Sequence, residues 1–251
     1  MITTILGLLC SISIIALAII TQADPTQFLN WKAMMITLGG TLAATLTYFS
    51  SPALDFTTNV LVKMFKRKEV IGYKLIEIIV DISKEIHFKD MLEIMNREDI
   101  KDLEFLKKGL GLIADDVPPK HLKEILVRQS HAITSQYRVT ERVFAVAGGF
   151  APMFGMIGTI LGLISMLGKI RNPEAILPAM GIALVTTLYG LLLSAIFFIP
   201  FSGKIRDLNH FETNYRNLMI EGILAIQAKE NPHVIYEKLI SYLNPWELKD
   251  E

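Results

Sequence analysis

Residues 143–168 read VFAVAGGFAPMFGMIGTILGLISMLG, a run with no Asp, Glu, Lys, Arg or His. A bilayer-crossing helix needs roughly 20 predominantly apolar residues, and a water-facing helix of this length would carry a polar face. The run therefore predicts a transmembrane helix. Three more uncharged runs cover 1–23, 33–54 and 175–203. The expected fold is all-α, a polytopic membrane protein with four transmembrane helices and a helical cytoplasmic domain. Composition agrees: of 251 residues, 51% are hydrophobic and 20% charged, unusually apolar for a soluble globule. The 25 bases and 25 acids cancel, which excludes a nucleic-acid footprint.

The charges fall almost entirely into two blocks, 55–142 and 204–251. Lysines and arginines near membrane ends mark the cytoplasmic side. Lys63, Lys66, Arg67 and Lys68 follow the second run, Arg138 and Arg142 precede the third, and Lys204 and Arg206 follow the fourth. The opposite loops, 24–32 and 169–174, are short and hold three bases. Both polar blocks and both termini are expected in the cytoplasm. The first run has no basic segment before it and outlasts a signal-peptide core, so it is read as a retained helix. Cys10 is the single cysteine, which excludes an internal disulfide.

Four segments follow: 1–54 with the first two spans, 55–142 as a cytoplasmic helical domain, 143–203 with the last two spans, and 204–251 as a helical cytoplasmic tail. Pro52 is expected to end the second span. Phe56, Val60, Leu61, Met64 and Phe65 then recur at the spacing of a helix lying along the membrane surface. Leu75, Ile76, Ile79, Ile82 and Ile86 form one apolar stripe, Leu103, Leu106, Leu110 and Ile113 a second, and Leu122, Ile125 and Leu126 a third, together predicting a small bundle. Between the last two, Asp115-Asp116-Val117-Pro118-Pro119 stops one helix and starts the next. No proline interrupts from His121 to Pro152, so one helix is expected to run from the polar block into the membrane. The fourth span continues likewise toward Gln227, with Asn231-Pro232 as its stop.

An ion-translocating machine ordinarily needs an ionisable group at membrane depth, and none of the four runs has one. The carboxylate must come from another chain. What the last two runs offer instead is small and hydroxyl-bearing: Gly155, Gly158, Thr159 and Gly162, then Thr186, Thr187, Gly190 and Ser194. Gly158 and Gly162 have the spacing that lets helix backbones approach closely, and threonine oxygens suit a cation or pore water. The same residues equally suit packing, their hydroxyls bonding the carbonyl one turn back. Pro152 and Pro200 bracket them, either as kinks or as something more.

The segment Gly149-Phe150-Ala151-Pro152-Met153-Phe154-Gly155-Met156-Ile157-Gly158-Thr159-Ile160-Leu161-Gly162-Leu163 resembles the signature of the MotA family of flagellar stator subunits, within the wider MotA/TolQ/ExbB proton channel family. Ala183-Leu184-Val185-Thr186-Thr187-Leu188-Tyr189-Gly190, Phe198-Ile199-Pro200 and Phe105-Leu106-Lys107-Lys108-Gly109-Leu110 extend the likeness over nearly the whole chain. The resemblance implies an ion-conducting stator that couples proton or sodium flow to torque. It further implies a homo-pentamer around two copies of a MotB-type single-span partner whose membrane aspartate carries the ion. By the same likeness Pro152 and Pro200 couple ion passage to movement, and Thr159, Thr186 and Thr187 occupy the hydroxyl positions of sodium-driven members. A rotor protein of the flagellar switch complex is the second implied partner. Glu93 matches the family's rotor-facing glutamate, whereas Ser83-Lys84-Glu85-Ile86 stands where an Arg-Arg pair is expected, leaving Lys84 as the substitute.

The alternatives are a TolQ/ExbB-like subunit driving an outer-membrane process and a non-conducting membrane scaffold. No phosphate loop or metal-ligand cluster occurs, and the five histidines are scattered, so no enzyme, resident metal or cofactor is expected.

Overall fold

The computed structural model describes residues 2–22, 24–66, 72–86, 88, 90–168, 171 and 173–243. Met1, Ala23, Arg67, Lys68 and Lys169 lie outside the described residues. Every regular element among the described residues is helical. The chain divides into two compact units, 1–60 with 137–206 and 61–136 with 207–251.

In the first unit α1 covers Ile2–Gln22 and is followed by a 3-10 turn, Pro25–Phe28. Asp24 starts that turn by accepting from Thr26 N–H at 3.0 Å. Asn30 then caps α2, Trp31–Met34, by accepting from Ala33 N–H at 3.1 Å. A π segment, Met35–Gly39, leads directly into α3, Gly40–Tyr48.

The second apolar run departs from expectation at its end. Helix α3 stops at Tyr48, Phe49 is extended (φ −106°, ψ 145°), and the chain turns by 116° into α4, Ser51–Lys66. Pro52 therefore opens α4 and does not close the span; in a first helical turn its missing N–H costs nothing.

The last two apolar runs sit in long helices. Helix α8 extends from Pro119 to Leu167 without a break, passing Pro152. Helix α9, Pro173–Leu192, continues through a π segment, Leu193–Phe198, into α10, Ile199–Gln227. Pro200 lies two residues beyond that π segment. A proline ring collides with the carbonyl four residues before it, and a wider π turn there is one of the identifiable ways a helix absorbs such an interruption.

Two helices, α8 and Ile176–Gln227, are long and apolar enough to cross a bilayer, and the bent pair Pro25–Tyr48 and Ser51–Val62 makes a third if it is one span. The apolar part of α1 is the shorter Leu6–Thr21. The most apolar windows of the two long helices are only 22% and 33% buried. Contiguous apolar surface on that scale needs lipid or another protein to cover it.

The second unit is built on α5 (Gly72–Glu85), α6 (Met91–Met95), α7 (Glu104–Ala114), the adjoining parts of α8 and α10, and α11 (Pro232–Ile240). Leu75, Ile76, Ile79, Ile82, Leu106, Leu110, Leu122 and Leu126 are fully buried or nearly so, and they share one core with Leu218, Ile223, Ile226, Ile235 and Leu239. Helices α7 and α10 both end in left-handed turns, at Asp116 and Lys229 (φ 54° each). Val117 N–H reaches Leu112 O, and Glu230 N–H reaches Ala225 O, so each turn closes the six-to-one bond that satisfies an end carbonyl. Pro119 and Asn231 then start α8 and α11.

One member of the expected stripes is misplaced by the pattern: Ile125 is 37% exposed, while Leu122 and Leu126 on either side are buried. Leu106→Ala is accordingly expected to cost about 2–5 kcal/mol, and Ile125→Ala under about 1 kcal/mol. Denaturant unfolding of the purified protein, followed by hydrogen exchange over α7, measures both.

Candidate functional site

Helices α8 and α9 meet where their side chains are smallest. A Cβ added to Gly190 would stand 2.5 Å from the carbonyl oxygen of Ala151, and one on Gly155 would stand 3.1 Å from the carbonyl oxygen of Thr186. Gly158 faces the side chain of Thr186, and Gly162 faces Ala183, with distances of 2.6 Å from the added Cβ in both cases. Backbone meets backbone along this line, so only glycine fits without separating the helices.

That approach brings the hydroxyl residues together. Thr159 and Thr187, one from each helix, share a direct hydroxyl–hydroxyl hydrogen bond. Thr159 Oγ1 also lies 3.1 Å from Gly155 O and 3.0 Å from Ala183 O, and Thr187 Oγ1 lies 3.4 Å from Gly155 O. Two hydroxyl protons thus serve four oxygens, and each hydroxyl donates to one partner at a time. Lone pairs are left over, as a site for a proton or a metal cation requires.

Thr186 parts from this pair. It is fully buried, donates to Ala183 O at 2.8 Å, and turns its side chain onto Gly158. Adjacent helical residues point about 100° apart, and here one faces the partner hydroxyl and the other the partner glycine.

Pro152 lies half-buried inside α8, one turn before the cluster's Gly155. Pro200 is exposed, in the first turn of α10. Ser194, in the π segment, donates to Gly148 O at 2.7 Å and so fastens that segment to α8.

Lys84 and Glu93 are both exposed, in the second unit. Lys84 pairs with Asp81 at 3.0 Å along α5, and Glu93 lies in the first turn of α6. Between α6 and the next turn, Arg97 binds Glu85 at 3.0 Å and Asp99 through Nε at 3.1 Å. Arg97 holds the Asp99 carboxyl below the usual carboxylate range. This pair therefore contributes its full stabilisation at neutral pH and loses it only as pH falls below about 4, through the lowered folded value.

Two features carried no sequence signal of their own. The Tyr189 hydroxyl accepts from Asn30 N–H at 3.2 Å and donates to Phe28 O, clasping the first interhelical loop to α9. Arg216, 4% exposed, sits in the second unit against Glu212 at 3.2 Å and Ser130, Thr134 and Thr213 at 2.9–3.2 Å. A lone tyrosine and a lone arginine have no periodicity to betray them. Among the described residues no group of three His, Cys, Asp or Glu side chains is arranged to hold a metal.

The profile of the MotA/TolQ/ExbB proton channel family matches residues 97–217. The Bacillus subtilis protein YtxD is 32% identical over 95% of this chain and 89% of its own length. The chemotaxis protein PomA of Vibrio alginolyticus is 32% identical over 96% of this chain and 94% of its own. The chain belongs to the MotA/TolQ/ExbB proton channel family.

The fold carries the same kinship. The flagellar MotAB stator complex from Bacillus subtilis contains a chain that superposes with a TM-score of 0.87 at 25% identity, covering 99% of this chain and all of that one. The family profile spans α8 and α9 entirely, and with them the glycine crossing and the threonine pair. Gly190→Ala is expected to lower the thermal stability of the purified family member by the equivalent of about 1–3 kcal/mol, the usual cost of overpacking. Gly181→Ala, where an added Cβ meets nothing within 4 Å, should leave the melting temperature unchanged.

Proposed function

We propose that this chain is an ion-conducting stator subunit of a bacterial flagellar motor, coupling ion flow to torque together with a MotB-type partner. The observation that carries the reading is the pairing of an oxygen-lined helix crossing with apolar runs, 143–168 and 175–203, that hold no carboxylate of their own. Ion-driven machines ordinarily relay their ion through an ionisable group at membrane depth, and here a second chain brings it. The likeness to PomA and to a MotAB stator subunit supports the same division of labour.

In this reading four helices span the bacterial inner membrane, with both termini and both polar blocks in the cytoplasm. Five copies surround two single-span partners. An ion enters on the partner's aspartate, and Thr159 and Thr187 then replace part of its water shell. Thr186 holds the backbone that presents them. Release to the cytoplasm restores the carboxylate charge, which changes the subunit contact of lowest energy and advances the pentamer by one step. Pro152 and Pro200 flank the crossing on α8 and on the helix that continues α9, where an interrupted hydrogen-bond ladder lets each helix flex. Glu93 and Lys84, exposed in the second unit, face the rotor.

Deleting the gene tests this directly. The expected phenotype is an assembled but paralysed flagellum, restored by the intact gene. A deletion strain that swims normally and instead loses an outer-membrane process would assign the energiser role, and one unchanged in both would leave a scaffold.

The oxygen count favours sodium, since a dehydrated sodium ion needs several oxygen ligands, whereas a proton needs only a carboxylate and water. Thr159→Ala removes a hydroxyl from the four-oxygen cluster and is expected to raise the sodium concentration for half-maximal swimming speed several-fold, roughly the worth of one ligand of about 1 kcal/mol. Full speed in sodium-free medium that collapses with a protonophore would assign protons.

A further inference from the structure

In the first unit, a cavity of about 280 Å³ lies inside the elbow between α3 and α4. Leu42 and Leu46 of α3, Leu54 of α4, Val143, Phe144 and Ala147 of α8, and Phe197 and Phe198 of the second π segment line it. The three phenylalanine rings form one aromatic cluster with centroids 5.3–6.4 Å apart.

Two threonines also line the cavity, but neither offers it a hydroxyl. Thr45 donates back to Thr41 O at 2.7 Å, and Thr57 donates back to Ala53 O at 2.9 Å. A cavity holds water only where two or more polar groups can bond it. This one is dry, and it has nearly twice the roughly 150 Å³ of an apolar cavity known to admit benzene. An acyl chain suits it in both size and chemistry.

The polar end of the ligand is given by the neighbouring surface. Arg142 directly precedes Val143 in α8 and is exposed. Its guanidinium donates to Tyr48 Oη at 3.0 Å and lies 5.8 Å from the centre of that ring. Tyr48 is the last residue of α3 before the elbow, and Phe150 stands edge-on to it at 6.1 Å. Aromatic and basic side chains at the end of an apolar helix mark the headgroup level of a bilayer. Among the described residues no carboxylate pairs with Arg142, so most of its five donors are available to an anion.

We propose that the elbow is a binding site for an anionic phospholipid, with one acyl chain in the cavity and the phosphate on Arg142. The proposal rests on the membrane reading above. It adds a structural ligand at the junction of α3, α4, α8 and the π segment Leu193–Phe198. A bound chain fills the space beside Phe197 and Phe198 and resists closure of the elbow.

The test uses the full protein with its partner, reconstituted in nanodiscs of phosphatidylcholine with a fifth part phosphatidylglycerol. The complex is then released into detergent, and native mass spectrometry counts the lipids retained per subunit. The intact protein should retain phosphatidylglycerol over phosphatidylcholine. Arg142→Gln should lower that retention roughly fivefold, the worth of one basic side chain at a lipid surface, and Arg142→Lys should keep most of it. Ala147→Phe, which fills the cavity, should abolish retention of either lipid, and Leu46→Trp, a substitution at an exposed rim residue, provides a second block should the first misfold. Equal retention of the two lipids by the intact protein, or unchanged retention in Arg142→Gln and in both blocking variants, overturns the proposal. Loss of subunits in the blocking variants without loss of lipid would show that a second copy of the chain fills the elbow, and overturns it too. Because the readout is lipid count, it can fail while the protein remains in the membrane and drives motility.

Discussion

The contact of Gly190 with the backbone of Ala151 governs the membrane-facing part of this molecule. At most helix crossings side chains hold the axes 8–10 Å apart; here a Cβ on Gly190 would come within 2.5 Å of a carbonyl oxygen. Removing side chains from the crossing sacrifices apolar contact, which counts for little where lipid is as apolar as leucine. What it gains is polar reach. Only at this separation can the short hydroxyls of Thr159 and Thr187 bond each other and the carbonyls of the opposite helix. The glycines and the threonines are therefore one device.

A consequence concerns the backbone carbonyls. Thr159 reaches Ala183 O across the crossing, and Thr186 reaches the same oxygen from its own helix at 2.8 Å. The Ala183 carbonyl thereby becomes the hinge of the cluster, bonded from both sides.

How far the amino-acid pattern reveals this depends on what carries the information. Helical runs and the apolar stripes of α5, α7 and α8 are periodic, and periodicity survives inspection of a single chain. Helix ends with dedicated chemistry are equally plain, as at Pro119 and at Asn231-Pro232. The end of the second span is not, because Pro52 serves equally to stop one helix or to start another. The structure places the break at Phe49, three residues before Pro52, and Phe49 itself carries no sequence signal for an extended conformation. The two π segments among the described residues are hidden for a related reason: Gly39 and Gly40 at the end of Met35–Gly39, and Pro200 downstream of Leu193–Phe198, weaken an ordinary helix without specifying a π turn. At the crossing, the residues involved are legible from spacing and resemblance. Which threonine faces its counterpart is a matter of a hundred degrees of helix rotation that composition does not fix.

The two units solve the same problem with opposite materials. In the first, apolar residues point outward and the close contacts are polar or glycine-made, because the surroundings supply the apolar phase. In the second, leucines and isoleucines point inward, and Arg216, the deeply buried cation among the described residues, is matched by Glu212 and three hydroxyls. Helices α8 and α10 contribute residues to both units. Along α8 the buried residues include Leu122, Leu126 and Ser130 in the second unit, and Tyr137, Thr140, Val143, Phe144, Ala147, Ala151, Gly155, Gly158 and Gly162 in the first. On α8 the glycines Gly155, Gly158 and Gly162 fall where the helix meets α9, because there the close approach of the two helices excludes a Cβ.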